Sequence, residues 1–495
     1  MLAHHYLSAL DYATATKRED PALAERARLA LRAAGDRALA LASYAAAVRY
    51  YGAALELWPE DDPDRVWLLV DTGRAKHATD GGGIDLLEQA FDELRSLGDA
   101  DGAAEVAVDL ARCIWFRGDR DRAYSYVDRA LELAAGRSNS KARAHALVHR
   151  AAYCMIASEH ADAIALAREA LPLTEALGRR DLQVRALDVI GYSRAMCGDL
   201  GGLDDSRRAI ALGRESNAFS QLLAAELNFY SAQFVLGRLE AAFDVLHMLR
   251  RDVESYATTM IGWWLTGAEA HQAVLCGRWD DAIDLLDPFV AETDDDVVHY
   301  LDPAFGALRA SVKLGRGDMA GALADSEAAV ERARRTKDPQ LLAPALAFRG
   351  IVLLADGRRQ EASQLASEML LPGSAPISAL LELFPAATPI EFAWLLRDLG
   401  RAPELLPRLD SAPSFPWFEA ARAIVLGEFA WAVEVVTAIR APSVEAYTRL
   451  RATEELAAAG AHEQAREQLE PAVGFFTRVG ASRYVAQAEQ LLASV

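Results

Sequence analysis

GDRDRAYSYVDRALEL, residues 118–133, opens on Gly118, sets charged residues beside it and reaches an alanine, Ala123, five positions on. The same pattern returns as GRLEAA from Gly237, GRWDDA from Gly277, GDMAGA from Gly317 and GRRQEA from Gly357. Looser forms begin at Gly427 (GEFAWA) and Gly460 (GAHEQA). In SEHADA a serine, Ser158, takes the glycine place, and in GDLGGL, from Gly198, Leu203 takes the alanine place. The starts at 118, 158, 198, 237, 277, 317 and 357 lie 39 or 40 residues apart. Seven residues before them runs a second series, Ala111, Ala151, Gly191, Tyr230, Ala270, Ala310 and Gly350, in which only Tyr230 is large.

Two small residues flanking a turn have a physical meaning. Antiparallel helices that cross closely need alanine or glycine at the contact, because larger side chains push the axes apart. Glycine ends the first helix in a positive-φ conformation, and the charged residue after it stays solvated as the second begins. The second segment has helical spacing, with Ala123, Val127, Ala130 and Leu131 at i, i+4, i+7 and i+8. Each period therefore predicts one helical hairpin. A lone hairpin cannot bury both apolar faces, whereas stacked neighbours can, so the expectation is an all-α solenoid of about eleven hairpins.

YAAAVRYYGAALELWP, residues 44–59, sharpens this, with Ala47, Tyr51, Ala54 and Pro59 preceded by Gly35. These positions resemble the second-helix alanine, aromatic, alanine and closing proline of the tetratricopeptide repeat, with Gly35 as its first-helix small residue. The resemblance implies a right-handed superhelix of hairpins, here with a period of about 40 residues in place of the usual 34. LAHHYLSAL (2–10) with the segment up to Pro63, and FFTRVGASRYVAQAEQLL (475–492), are similar to the tail of actinobacterial proteins that join an adenylate/guanylate cyclase domain and an AAA-type ATPase to tetratricopeptide repeats. The ending is also similar to large ATP-dependent helix-turn-helix regulators. No GxxxxGK[ST] loop occurs in the chain, and no segment has the strands or paired aspartates of a cyclase domain, so the likeness implies a regulatory tail without their catalysis. Leu2, Tyr6, Leu7 and Leu10 form an apolar stripe, as if the chain began inside a larger fold.

The bulk composition narrows the partners. With 495 residues, 52% hydrophobic and 25% charged, the chain is globular, and its net charge of -20 argues against nucleic acid. The N-terminus lacks a signal peptide's basic and apolar regions, and no run reaches the roughly 18 apolar residues of a membrane span, which places the chain in the cytoplasm. Cys113, Cys154, Cys197 and Cys276 are too scattered for a disulfide framework and are expected to be buried. Four regions are expected: an N-terminal helical part with the first repeats (1–100), regular repeats (101–371), an irregular segment (372–416) carrying eight of the 18 prolines, and C-terminal repeats with a capping helix (417–495). Arg483, Gln487, Glu489 and Gln490 suit a polar-faced cap, and DGGG at 80–83 marks a flexible turn.

Several side chains merit weighing as chemistry. His145 and His149, at i and i+4, can present two imidazoles to zinc, but Ala146 stands where the zincin helix carries glutamate; His4 and His5 point apart. Asp294, Asp295 and Asp296 near His299 lack an EF-hand's alternation and read as a solvated loop. Neither metal nor cofactor is expected. Adjacent Trp263 and Trp264 cannot share one narrow helical stripe, so one should pack in the core while the other reaches a groove or the next repeat. A peptide-carboxylate clamp built on lysine and asparagine is disfavoured, with only Asn139, Asn217, Asn228 and five lysines to draw on. No GxSxG elbow appears. The repeat phase puts Arg112, Trp115, Arg185, Asp188, Tyr192, Phe234, Trp264 and His271 on the groove. The function expected is a non-catalytic interaction and regulatory scaffold of a cytoplasmic signalling system that binds a protein or peptide in that groove. The alternatives are the tail of a nucleotide-cyclase/ATPase signalling enzyme or ATP-dependent transcription regulator whose catalytic domains are absent from this chain, and a sensor that holds a small-molecule ligand.

Overall fold

The computed structural model describes residues 20–494 except 42, 118, 138–139, 257–258, 292–299, 372–376 and 382–387; before residue 20 it describes only 5, 6, 8, 9 and 12. His4, the Asp294–Asp296 run, His299, Asn139, Gly118 and most of the N-terminal stripe lie outside the described residues. Among the described residues there are 25 α-helices and no strand. No helix among them is long and apolar enough to cross a membrane.

The helices pair as hairpins, each with a first helix A and a second helix B. The early pairs are α1 (Pro21–Ala40) with α2 (Tyr44–Leu57), α3 (Arg65–Asp80) with α4 (Ile84–Ser96), and α5 (Ala100–Phe116) with α6 (Arg120–Leu133). Next come α7 (Lys141–Ile156) with α8 (His160–Ala176), α9 (Arg180–Met196) with α10 (Gly202–Ser216), α11 (Phe219–Val235) with α12 (Leu239–Tyr256), and α13 (Thr259–Leu275) with α14 (Trp279–Ala291). They continue as α15 (Asp302–Gly315) with α16 (Met319–Thr336) and α17 (Pro339–Ala355) with α18 (Arg359–Leu370). Two short helices follow, α19 (Thr388–Asp398) and α20 (Leu406–Ser411), amid two 3-10 turns and most of the clustered prolines. The last are α21 (Pro416–Leu426) with α22 (Phe429–Ile439), α23 (Pro442–Ala458) with α24 (His462–Arg478), and α25 (Ser482–Ser494). This is a tetratricopeptide-like array of helical hairpins, as the period predicts.

The turns inside the middle hairpins follow one rule. Ser158, Gly198, Gly237, Gly277, Gly317 and Gly357 all have φ between 61° and 86°. The next residue returns its N–H to a carbonyl five positions back, as Arg238 does to Gln233 at 3.0 Å and Asp318 to Lys313 at 2.9 Å, which satisfies a helix-end carbonyl. At two of these turns the aspartate also caps the next helix: Asp119 accepts from the Arg122 N–H at 3.2 Å and Asp318 from the Gly321 N–H at 2.9 Å. The small series is interior, with Ala111, Ala151, Ala270 and Ala310 all buried, as are Ala123, Ala163, Ala242, Ala282, Ala322 and Ala362 after the turn. One close crossing is α9 on α10, where a Cβ placed on Gly191 would sit 2.6 Å from the Ser206 nitrogen and 2.8 Å from the Gly202 oxygen.

Cα packing divides the chain into two compact units. The first comprises Met1–Arg150, Glu169–Leu182 and Val253–Met260; the second comprises Ala151–Arg168, Gln183–Asp252 and Ile261–Val495. Core side chains of the first unit include Leu31, Tyr51, Ala54 and Trp58 around α1 and α2.

Within the second unit the array returns upon itself. The A helix of each late hairpin begins where the A helix five hairpins earlier ends: α21 meets α11, α23 meets α13 and α25 meets α15. The Trp417 indole N–H donates to the Phe234 carbonyl at 3.0 Å, and the two rings stack with centroids 5.2 Å apart. Ser443 donates to the Val274 carbonyl, which also accepts from the Trp279 indole at 3.2 Å, and Ser482 donates to the Arg316 carbonyl at 2.6 Å. At each rung a side chain from one helix start satisfies a carbonyl at another helix's end, and the two macrodipoles meet head to tail. Apolar packing seals the seam through Phe475 and Val479 beside Gly277, Pro416 and Ile439 beside Gly237, and Tyr484 beside Gly315.

Two expectations change here. The last helix is not simply a polar cap: Glu489 and Gln490 face solvent, but Arg483 and Gln487 are half-buried, and Arg483 reaches the Ala355 carbonyl at 3.5 Å. Cys113 and Cys154 are buried as expected, whereas Cys197 and Cys276 are exposed because they follow the ends of α9 and α13, where the chain turns out into solvent.

Candidate functional site

The A helices of the first unit bring charged side chains into one row. Asp71 and Arg74 come from α3, Glu105, Asp109 and Arg112 from α5, and His145 from α7. Arg74 grips Asp109 with two nitrogens, at 2.7 and 2.6 Å, and Arg112 approaches the other Asp109 oxygen at 3.5 Å. The Asp109 carboxylate is only 7% exposed, while the Arg74 and Arg112 side chains are 33% and 42% exposed. A buried carboxylate thus aims two half-exposed guanidinium groups.

Electrostatics link the row. Burial pushes the Asp109 carboxyl up, yet Arg74 and Arg112 hold it below its ordinary value. Burial raises Asp71 and Glu105 above theirs. His145 is pushed down to about 4 by burial, helped by Arg179, Arg112 and Arg74 and opposed by Asp109. His77, on α3, is also pushed down to about 4, by burial and then by Arg112. Arg179 binds Asp181 through two bonds of 2.9 and 2.7 Å at the far end.

The second unit treats neighbouring A-helix positions differently. Asp188 is fully buried, paired to Arg185 at 2.6 Å, and accepts from the Asn228 amide at 3.1 and 2.9 Å; burial raises its carboxyl above the ordinary value. Phe234 lies between His271, 5.0 Å away, and Trp417. His271 is buried and pushed down to about 3 by that burial. This face is interior, covered by the chain's own later hairpins.

Of the eight residues placed on the groove by phase, Arg112 and Trp115 fall in the first unit and the other six in the second. Trp115, Asp188, Tyr192, Phe234 and His271 are buried, which makes them packing groups in this state. Trp115 packs edge-on to Tyr124 and Tyr192 to His160. Trp264 is half-buried against Tyr300, of the next repeat, and Trp263 stands edge-on to Phe289, within its own hairpin. Arg112 and Arg185 keep partial exposure, and only Arg112 belongs to the charged row. Arg74, Asp109 and Glu105 were not singled out in the sequence, although Gly73 followed by Arg74 repeats the small-then-Arg step of Ala111 and Arg112. His145 and His149 contact each other edge to face at 4.7 Å, and the described residues hold no group of three or more histidine, cysteine or acidic side chains able to share a metal.

No family model and no curated protein matches the chain. Among solved structures, yeast Tom70 is similar over 95% of this chain and 97% of its own, at 12% identity and a TM-score of 0.31. A likeness of that size between two long helical arrays fixes neither the course of the array nor a function.

Proposed function

We propose that this chain is a non-catalytic binding and regulatory module, which takes an extended polypeptide segment of a cytoplasmic protein partner along the A-helix face of its first unit. The observation that carries the reading is the connected row Arg74–Asp109–Arg112, whose buried carboxylate holds two guanidinium groups partly in solvent. Pre-aimed charges lower the ordering cost of recognition. In the second unit His271, which matches Arg112 in the repeat, is instead packed against Phe234 in that unit's own closure.

A photo-crosslinking amino acid at half-buried Trp67, on α3, compared with one at exposed Trp431, on α22, tests this in the native host. Partner adducts are expected from position 67 and not from 431. Adducts only from 431, or from neither, would count against the reading. The likeness of both chain ends to cyclase–ATPase signalling proteins supports a second reading, a regulatory tail for catalytic domains carried elsewhere. An in-frame phosphate-loop sequence upstream in the gene would favour it, and a clean intergenic region would count against it.

A further inference from the structure

Arg112 is the one arginine of the Arg74–Asp109–Arg112 row whose donors are unfilled. Among the described residues it makes a single 3.5 Å ion pair with Asp109, its side chain forms no hydrogen bond, and its Nε is buried without a partner. Asp109 cannot serve it better, because its other oxygen already takes both Arg74 nitrogens. A guanidinium has five N–H donors in a planar fork that suits a carboxylate. Arg112 therefore has the geometry to receive one.

The surroundings agree in sign. His77 and His145 flank Arg112, and its charge helps hold both neutral. Arg117 adds positive charge on the His77 side, and Arg74 and Arg179 add it on the His145 side. Among the described residues the one carboxylate in ion-pair range of Arg112, Asp109, is shared between two arginines. Asp71, on the neighbouring helix, instead lies 3.9 Å from Arg74, and among the described residues Glu105 forms no ion pair, though the Arg74 and Arg179 charges act on it. The row is thus short of negative charge at Arg112 and carries acidic groups to either side.

We infer that Arg112 docks an internal aspartate or glutamate side chain of the bound polypeptide, with a basic residue nearby in that segment facing Asp71 or Glu105. This rests on the reading of the first unit as the binding face. An internal acid fits better than a chain terminus because charged residues continue on both sides of Arg112, through Arg74 and Asp71 one way and His145 and Arg179 the other. A terminal carboxylate would leave half of the row without a partner.

Two random dodecapeptide libraries selected against the full chain give the test, one tethered and blocked at its C-terminus, the other tethered at its N-terminus with a free carboxylate. The blocked library is expected to enrich aspartate or glutamate at one position. Arg112→Gln should erase that enrichment and weaken an enriched peptide by about tenfold or more. Arg112→Lys, which keeps the charge and loses the fork, should recover only part, and it decides the matter if Arg112→Gln fails to fold. Enrichment with no acidic position, an acidic position indifferent to Arg112→Gln, or enrichment confined to free carboxylates would overturn the inference while leaving the binding face in place. No enriched peptide from either library would overturn both.

Discussion

The first and second units use one repeat position in opposite ways. Among the residues that follow the small A-helix position are Arg74 and Arg112 in the first unit and Tyr192 and His271 in the second. In the first, the side chains reach solvent and are aimed by a buried carboxylate; in the second, they are enclosed, His271 beneath Phe234 and the Trp417 that stacks on it. The lesson is that a repeat's groove position is a site only where the array leaves it open. Closure of the second unit turns recognition positions into core.

Trp417→Ala strikes the closed side hardest. It removes a fully buried ring, its stacking on Phe234 and a hydrogen bond to a helix-end carbonyl, and should cost about 3–5 kcal/mol. Denaturant unfolding checks the size. Hydrogen exchange should quicken at Leu236–Arg238 and leave the first unit's amides unchanged; equal quickening in both would erase the contrast.

Two buried carboxyls, one in each unit, should respond oppositely to pH. Asp109 lies below its ordinary value in the folded chain, so its contribution is present above about pH 4 and lost as pH falls through the folded value. Glu226, on α11, is buried, bonded to Arg214 at 2.6 Å and pushed up to about 8 by burial and then by Asp252. Its folded form prefers the proton, so stability is lost as pH rises from about 4.5 to 8. Glu226→Gln should therefore match wild type at pH 5 and exceed it at pH 9 by up to a few kcal/mol, at about 1.4 kcal/mol per unit. Asp109→Asn should flatten only the acid limb. Melts across pH that show the same profile for both variants would contradict the assignment.

Smaller effects separate tight from loose crossings. Gly191→Ala drives a methyl into the Ser206 and Gly202 backbone and should cost about 1–3 kcal/mol. Gly52→Ala, on α2 of the first unit, meets nothing within 4 Å and should gain up to about 1 kcal/mol from helix propensity. Thermal unfolding of the pair gives both signs.

Hairpins and their turns were legible in the sequence because each depends on local requirements: a left-handed residue at Gly237 or Gly277, and a small side chain at Ala270 or Ala310. Even Ser158, out of pattern by type, adopts the same φ. The return of α21 onto α11 was not legible. It is set by small rotations accumulated over five hairpins, and its partners, Phe234 and Trp417, are 183 residues apart. Hence Phe234 and His271 read as groove residues by phase and are interior in the fold. Phase alone places Arg112 on the groove, but it gives no sign of its partners Arg74 and Asp109, since a cross-helix ion pair leaves no periodic trace.

Paired cysteines at Gly237→Cys and Pro416→Cys report on the five-hairpin return in solution. A Cβ at 237 lies 3.4 Å from the Cβ of 416, close to the spacing of a disulfide. In dilute monomer under mild oxidation, a 237–416 disulfide should form in nearly every molecule, seen by peptide mapping, and peptide capture at Arg112 should be unchanged. Two thiols that both stay open to alkylation would mean that the second unit is an open spiral and that its A-helix face is as available as the first.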